Sequence, residues 1–93
     1  MASVSICAIA PCAELEGHIC LEGKFHGVPF EKMEATLPEL GFSILVVSAR
    51  ESLTAKRGRT LLIVSRNGEF SLSRTPTRSY AEDMLQEIAA KCG

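Results

Sequence analysis

The chain has 93 residues, of which 46% are hydrophobic, and a formal net charge of -1 at pH 7. This length suits a single domain over residues 1–93 with one two-layer core, and the composition excludes a disordered or strongly charged chain. No apolar run approaches the roughly 18 to 20 residues of a membrane span, and the N-terminus lacks the features of a secretory signal. We therefore expect a cytoplasmic protein that does not bind membranes and whose four cysteines do not form a disulfide framework.

The first half of the chain indicates a strand and a short helix behind an N-terminal segment. Residues 1–16 contain a loose alternation that stops at Pro11, which is typical of an arm or an extra strand. A clean alternation over residues 18–25 predicts a half-buried strand with Leu21 facing inward. A short helix is predicted over residues 29–39. Its apolar residues recur at helical spacing: Phe30, Met33, Leu37 and Leu40.

In the middle of the chain, an apolar segment is followed by a polar segment. Residues 42–49 are apolar in both alternating registers, which predicts a strand covered on both faces, either at the centre of a sheet or against a partner. Residues 51–58 are polar and end in Gly58, so they predict a mobile loop between this strand and the next element.

Residues 59–74 contain the clearest local motif, two strand-like runs that meet at Asn67-Gly68. This dipeptide suits a type I′ turn and predicts a tight antiparallel hairpin, whose register is fixed by counting outward from the turn. The apolar residues that this register places on the inner face are Leu61, Ile63, Phe70 and Leu72. The opposite face receives Leu62 and Val64.

A final helix is predicted from Ser79, because Ser79 and Glu82 have the spacing of a capping box. Its inner stripe follows helical spacing throughout: Ala81, Met84, Leu85, Ile88, Ala89 and Cys92. The order of elements predicts an α+β two-layer sandwich, with a curved antiparallel sheet of four to five strands and two helices on one face.

Two helices cover only one face of such a sheet, so its other face stays open. Exposed apolar patches of sufficient size mark interfaces. The apolar residues predicted on the open face are Phe42, Ile44, Val46, Leu62 and Val64. We therefore predict a non-enzymatic interaction module that forms a homodimer, or docks a protein partner, through the open face or the edge of its sheet.

Three stretches, residues 41–48, 60–68 and 77–82, resemble one half of the saddle-shaped TATA-binding protein. They are similar to that family's Phe-led strand, its strand ending in a Gly turn and its Ser-rich helix start. The resemblance covers residues 17–93 and implies a half-saddle with a long C-terminal helix on the convex side. It further implies DNA binding by paired Phe wedges, for which Phe42 matches the first position and Val64 replaces the second. A homodimer would restore the two-fold arrangement.

The alternative function is nucleic-acid binding by the dimer. Residues 50–78 contain seven basic residues against two acidic ones, so the segment carries about +5. The candidate phosphate contacts are Arg57, Arg59, Arg66 and Arg74. The other interpretation is that these charges only keep edge strands and turns soluble.

A further alternative is metal handling by the N-terminal segment. Ligand types suited to zinc or an iron–sulfur cluster fall within fourteen residues: Cys7, Cys12, His18 and Cys20. Residues 7–12 also resemble the Cys-bearing N-terminus of small domains found ahead of iron–sulfur modules in some anaerobic prokaryotes. The spacing matches no standard zinc or cluster motif, so incidental thiols and no cofactor are the main expectation. The absence of a catalytic motif predicts that the protein is not an enzyme.

Overall fold

The computed structural model describes residues 2–13, 15–49 and 51–93 of the chain. The strands are β1 (Ser3–Pro11), β2 (Ile19–His26), β3 (Ser43–Ser48), β4 (Ser52–Arg57), β5 (Thr60–Ser65) and β6 (Glu69–Thr75). The helices are α1 (Phe30–Thr36), which continues into a 3-10 turn over Leu37–Leu40, and α2 (Arg78–Cys92).

The six strands of the described chain form one antiparallel sheet in the order β1-β2-β6-β5-β4-β3. The strands from β3 to β6 follow one another as a meander, and β2 closes the sheet by pairing with β6, where Leu21 lies opposite Leu72. The predicted α+β class with an antiparallel sheet and two helices is confirmed. The strand number is six rather than the predicted four to five.

The sequence allowed for an extra strand within residues 1–16 but missed a strand within residues 51–58. Residues 3–11 form β1, which pairs along its length with β2. Residues 52–57 form β4, so the prediction of a mobile loop over residues 51–58 is wrong. Leu53 and Ala55 are both 0% exposed and alternate with polar residues, and this short alternation is sufficient for a strand because β3 and β5 pair on both sides of it.

A single core lies between one face of the sheet and the two helices. The strands contribute Leu21, Phe25, Leu53, Ala55, Leu62, Val64, Phe70 and Leu72. The helical layer contributes Phe30, Met33, Leu37, Ala81, Met84, Leu85, Ile88, Ala89 and Cys92. The predicted inner residues of both helices are therefore confirmed, apart from Leu40, which is partly buried and packs at the border of the core.

The predicted register of the β5–β6 hairpin is wrong by one residue. Val64 lies opposite Phe70 and Leu62 lies opposite Leu72, so these two β5 residues point into the core with exposures of 0%. Ile63 is 40% exposed, on the face that the helices leave open.

The one-residue difference between the predicted and the observed register is caused by the turn at Asn67-Gly68. Only Gly68 has a positive φ, 97°, whereas a type I′ turn needs a positive φ at both central residues. The loop instead has three residues, closed by a hydrogen bond from Gly68 N to Ser65 O of 2.9 Å, and Gly68 adopts the left-handed position of a bulge. One additional loop residue moves every side chain of β5 to the opposite face.

The α2 helix starts two residues earlier than predicted. Thr77 is its N-cap, and the Thr77 hydroxyl accepts a hydrogen bond of 3.1 Å from the backbone N–H of Tyr80. Ser79 lies within the first turn and does not cap the helix. Arg78 and Glu82 form an ion pair along the same turn at 3.1 Å.

Candidate interaction edge

The β3 strand is the last strand of the sheet, although its apolar sequence predicted a central position. It pairs with β4 on one side, and no other strand of the described chain covers its second side. The preceding Gly41, with φ 89°, ends the 3-10 turn and directs Phe42 into the core, where it is 3% exposed. The next six residues, Ser43–Ser48, then run along the rim of the sheet.

The β3 edge, defined as Ser43–Ser48, exposes three consecutive aliphatic side chains. Leu45 is 53% exposed, Val46 is 56% exposed and Val47 is 37% exposed. The edge contains no charged residue and no proline, which are two of the features with which natural proteins protect an edge from pairing with other chains. The β3 edge therefore combines unpaired backbone groups with an apolar surface.

A β-bulge shapes this edge. Ile44 lies opposite Ala55 and Val46 lies opposite Thr54, so Leu45 is an additional residue without a β4 partner of its own. Ile44 packs against the core. Regular alternation from Ile44 places Leu45 on the open face, and the pairing with Thr54 places Val46 there as well. Val47, opposite the buried Leu53, returns to the helix side.

A groove of about 260 Å³ lies next to the β3 edge on the helix side. It is lined by Phe30, Glu31, Glu34, Val47 and Arg66. Arg66 forms an ion pair with Glu31, and its guanidinium lies 5.4 Å from the centre of the Phe30 ring. The groove is therefore lined by two apolar side chains, Phe30 and Val47, and by three charged ones, of which Arg66 and Glu31 pair with each other.

The opposite edge of the sheet, β1, has a different character. It carries a bulge between Ile6 and Ala8 and ends in Pro11. Its largest exposed aliphatic side chain is Ile9, which is 39% exposed. Both edges carry a bulge, but only β1 ends in a proline, which discourages edge pairing, so β1 is the better protected edge.

The structure separates the five residues that the sequence predicted as an open-face strip. Phe42, Leu62 and Val64 lie in the core, so their predicted position on an exposed face is wrong. Ile44 is partly buried and packs against the core, and Val46 alone of the five is strongly exposed. The assignment failed because it used the wrong hairpin register and took β3 as an unbroken alternation without a bulge.

Sequence reasoning also missed two exposed residues of β3, Leu45 and Val47. The signal for them was present, since residues 44–47 form an unbroken aliphatic run. The open face next to β3 is mixed: Val46, Thr54 and Ile63 lie side by side on neighbouring strands, and the row continues to Ser71.

The four predicted phosphate-binding arginines do not form one patch. Arg57 donates hydrogen bonds to Leu40 O at 2.9 Å and Glu87 at 3.1 Å, and Arg66 binds Glu31, so both connect the sheet to the helical layer. Arg59 and Arg66 lie beyond opposite ends of β5, roughly 20 Å apart along the strand. Nucleic-acid binding through these arginines stays a prediction.

The predicted metal ligands are spread along the β1–β2 hairpin. Cys12 N donates a hydrogen bond of 2.8 Å to His18 O at the loop end of the hairpin, Cys20 lies opposite Ala10, and Cys7 lies in the β1 bulge. Within residues 2–13, 15–49 and 51–93, no three His, Cys, Asp or Glu residues converge as a metal site requires. No disulfide joins the cysteines of the described chain.

Neither α1 nor α2, the helices of the described chain, is long and apolar enough to cross a membrane. Comparisons with protein-family models, with curated proteins and with solved structures gave no match to this chain. The resemblance of residues 17–93 to half of the TATA-binding protein therefore stays a prediction.

Proposed function

We propose that the protein is a non-enzymatic interaction module that binds an extended polypeptide as an added strand along the β3 edge. The observation that carries the proposal is the exposure of Leu45, Val46 and Val47 on a strand that pairs on one side only. Strand addition uses main-chain hydrogen bonds for affinity and alternate side-chain positions for specificity. The β3 edge offers both kinds of contact.

The apolar side chains of the β3 edge supply part of the binding free energy. Burying an aliphatic side chain contributes roughly 1.5 to 3 kcal/mol relative to full exposure. Leu45 and Val46 already bury about half of their surface in the isolated chain, so an added strand gains only part of that amount from each. New backbone hydrogen bonds add about 1 kcal/mol each. The sum must exceed the loss of translational and rotational freedom on binding, so moderate affinity is expected.

The groove beside Val47 extends this surface toward the helices. A strand added to β3 would place alternate side chains over the groove, which Phe30 and Val47 line together with charged residues. Arg66 is already engaged with Glu31. An aliphatic side chain therefore suits the groove better than an acidic one.

The proposal is tested with a displayed library of extended eight-residue peptides selected on the wild-type protein. We expect selected peptides to shift and protect the backbone amides of residues 43–48 in nuclear magnetic resonance spectra. Val46→Lys places a charge in the new contact and should weaken binding about tenfold or more, which corresponds to about 1.4 kcal/mol. Val46 is 56% exposed, so the folded state tolerates lysine at this position.

The matched control is Ile9→Lys, which makes the same chemical change at an exposed aliphatic residue on the opposite edge. Binding of the selected peptides should be unchanged in this variant. Peptides that perturb β1 or α2 instead of β3, or that bind Val46→Lys as well as the wild type, would contradict the proposal.

A further inference from the structure

We infer that the strand added to β3 is β3 of a second copy of this chain, in the antiparallel register that pairs Ser43 with Ser48, Ile44 with Val47 and Leu45 with Val46. The inference rests on the proposed function, because it names the partner and register for the same edge. It follows from which face each β3 side chain occupies.

Residues that lie directly opposite each other in an antiparallel pair share one face of the sheet. Ser43 pairs with Lys56 and Ser48 pairs with Ser52, both on the open face, which alternates with the buried Leu53 and Ala55. The order of faces along β3 is therefore open, helix side, open, open, helix side, open. This order is the same when read in either direction.

The palindromic order exists because of the bulge. In a regular strand of six residues, the first and last side chains point to opposite faces, so the strand cannot pair symmetrically with itself along its full length. The additional residue Leu45 shifts the alternation by one position. Full-length, two-fold pairing then joins open-face residues to open-face residues, and Ile44 to Val47 on the helix side.

Neighbouring registers do not pair residues of the same face throughout. A shift by one or two residues in either direction places Ile44 or Val47 opposite a residue of the open face. Among these registers, only the one proposed pairs all six residues with matched faces. Because the strand is self-complementary, a second copy fits the β3 edge better than an arbitrary extended segment.

The chemistry of the pairs agrees with this register. Leu45 and Val46 of both copies would form one aliphatic cluster on the open face, flanked by two Ser43–Ser48 pairs whose hydroxyls can hydrogen-bond across the strands. Ile44 of the second copy would lie beside Val47, at the mouth of the groove lined by Phe30. No charge of β3 opposes the contact.

The contact is small, because six paired residues extend only about 20 Å. Interfaces of this kind fall in the weak or transient class. The dimer should therefore dissociate on dilution, and sedimentation equilibrium should show a mass that rises with concentration from 10.0 kDa toward twice that value. Val46→Lys should stay monomeric at concentrations where the wild type and Ile9→Lys dimerise.

The register is tested by disulfide trapping in a Cys7→Ser background. Paired residues have Cα atoms about 4.5 to 5.5 Å apart, which a disulfide can bridge. A mixture of Ser43→Cys and Ser48→Cys chains should form a cross-linked heterodimer, identified by mass spectrometry of its peptides. Neither variant alone should cross-link through the new cysteine, because two copies of residue 43 would lie about 17 Å apart.

The possible failures are distinguishable. A chain that stays monomeric while selected peptides still bind β3 would overturn the second copy as partner and leave strand addition in place. A dimer that survives Val46→Lys, or one trapped by Ser43→Cys alone, would overturn the proposed contact or its register. Loss of both peptide binding and dimerisation would remove the proposed function itself.

Discussion

Replacing Gly23 with alanine measures how closely β1 approaches β2. A Cβ atom at Gly23 would lie 2.0 Å from the carbonyl oxygen of Ser5 and 2.8 Å from Cζ of Phe70. Since Cβ atoms essentially never approach other atoms within 3.0 Å, β1 must move away by about 1 Å. Phe70 has little room to move, because its ring packs against Phe25 with 4.9 Å between the ring centres.

The expected cost follows from these contacts. Overpacking a tight core costs about 1 to 3 kcal/mol, and moving β1 weakens backbone hydrogen bonds that contribute about 1 kcal/mol each. We therefore expect Gly23→Ala to lower the free energy of unfolding by about 2 to 4 kcal/mol. The measurement is urea unfolding followed by far-ultraviolet circular dichroism, with the slope checked for constancy.

Gly58→Ala is the matched control. Gly58 has no atom within 4 Å of an added Cβ, but its φ is 62°. Its cost is therefore purely conformational, about 1 to 2 kcal/mol. A loss below about 0.5 kcal/mol in Gly23→Ala would show that β1 does not lie against β2 as described, because overpacking at this site costs more.

Three further predictions concern the hairpin register, the α2 cap and a buried thiol. Leu62→Ala should cost about 2 to 5 kcal/mol and Leu61→Ala distinctly less, since only Leu62 is fully buried; equal losses in urea unfolding would contradict the register. Thr77→Ala should cost about 1 kcal/mol and Ser79→Ala almost nothing, and the reverse order of midpoints would contradict the assigned cap. Burial raises the pKa of the Cys92 thiol, so the unfolded state releases this proton at lower pH than the folded state. The free energy of unfolding should therefore fall as pH rises past the usual thiol range. Cys92→Ala should make this fall less steep, and an identical pH dependence of stability in both proteins would exclude the effect.

The helices were the most predictable part of the fold. The apolar stripe of α2 extends over twelve residues, from Ala81 to Cys92, and every member of it is buried. Helical spacing kept over a segment of this length is not found in a strand, whose side chains alternate with a period of two. The N-cap was less predictable, because Thr77 and Ser79 are both good capping residues and the choice between them depends on where the chain leaves β6.

The hairpin register was less predictable because β5 is apolar at four consecutive positions, residues 61–64. Its own pattern therefore does not indicate which side faces inward. The alternation of Phe70 and Leu72 with Ser71 and Ser73 correctly placed the inner face of β6. Which residues of β5 share that face depended on the length of the loop. A loop of two residues and a loop of three residues give opposite answers.

The position of β3 could not be predicted from its composition. A continuous aliphatic run suits a strand covered on both faces, and sequence alone does not show whether the cover comes from the same chain. The neighbouring β4 was missed because it buries only Leu53 and Ala55. Because β4 was not predicted, β3 was expected to lie next to the β5–β6 hairpin, near the centre of the sheet and not at its edge.

The seam between β2 and β6 has a consequence for the order of folding. Leu21 and Leu72 are 51 residues apart in sequence, whereas the β5–β6 hairpin closes over three. Loop-closure entropy makes the distant contact costlier by about 2.5 kcal/mol. We expect the β3–β6 meander to assemble before β2 joins it, so alanine at Leu21 should mainly accelerate unfolding and barely slow refolding in stopped-flow chevrons. In that sequence of events, the β3 edge is already formed while the far side of the sheet is still incomplete.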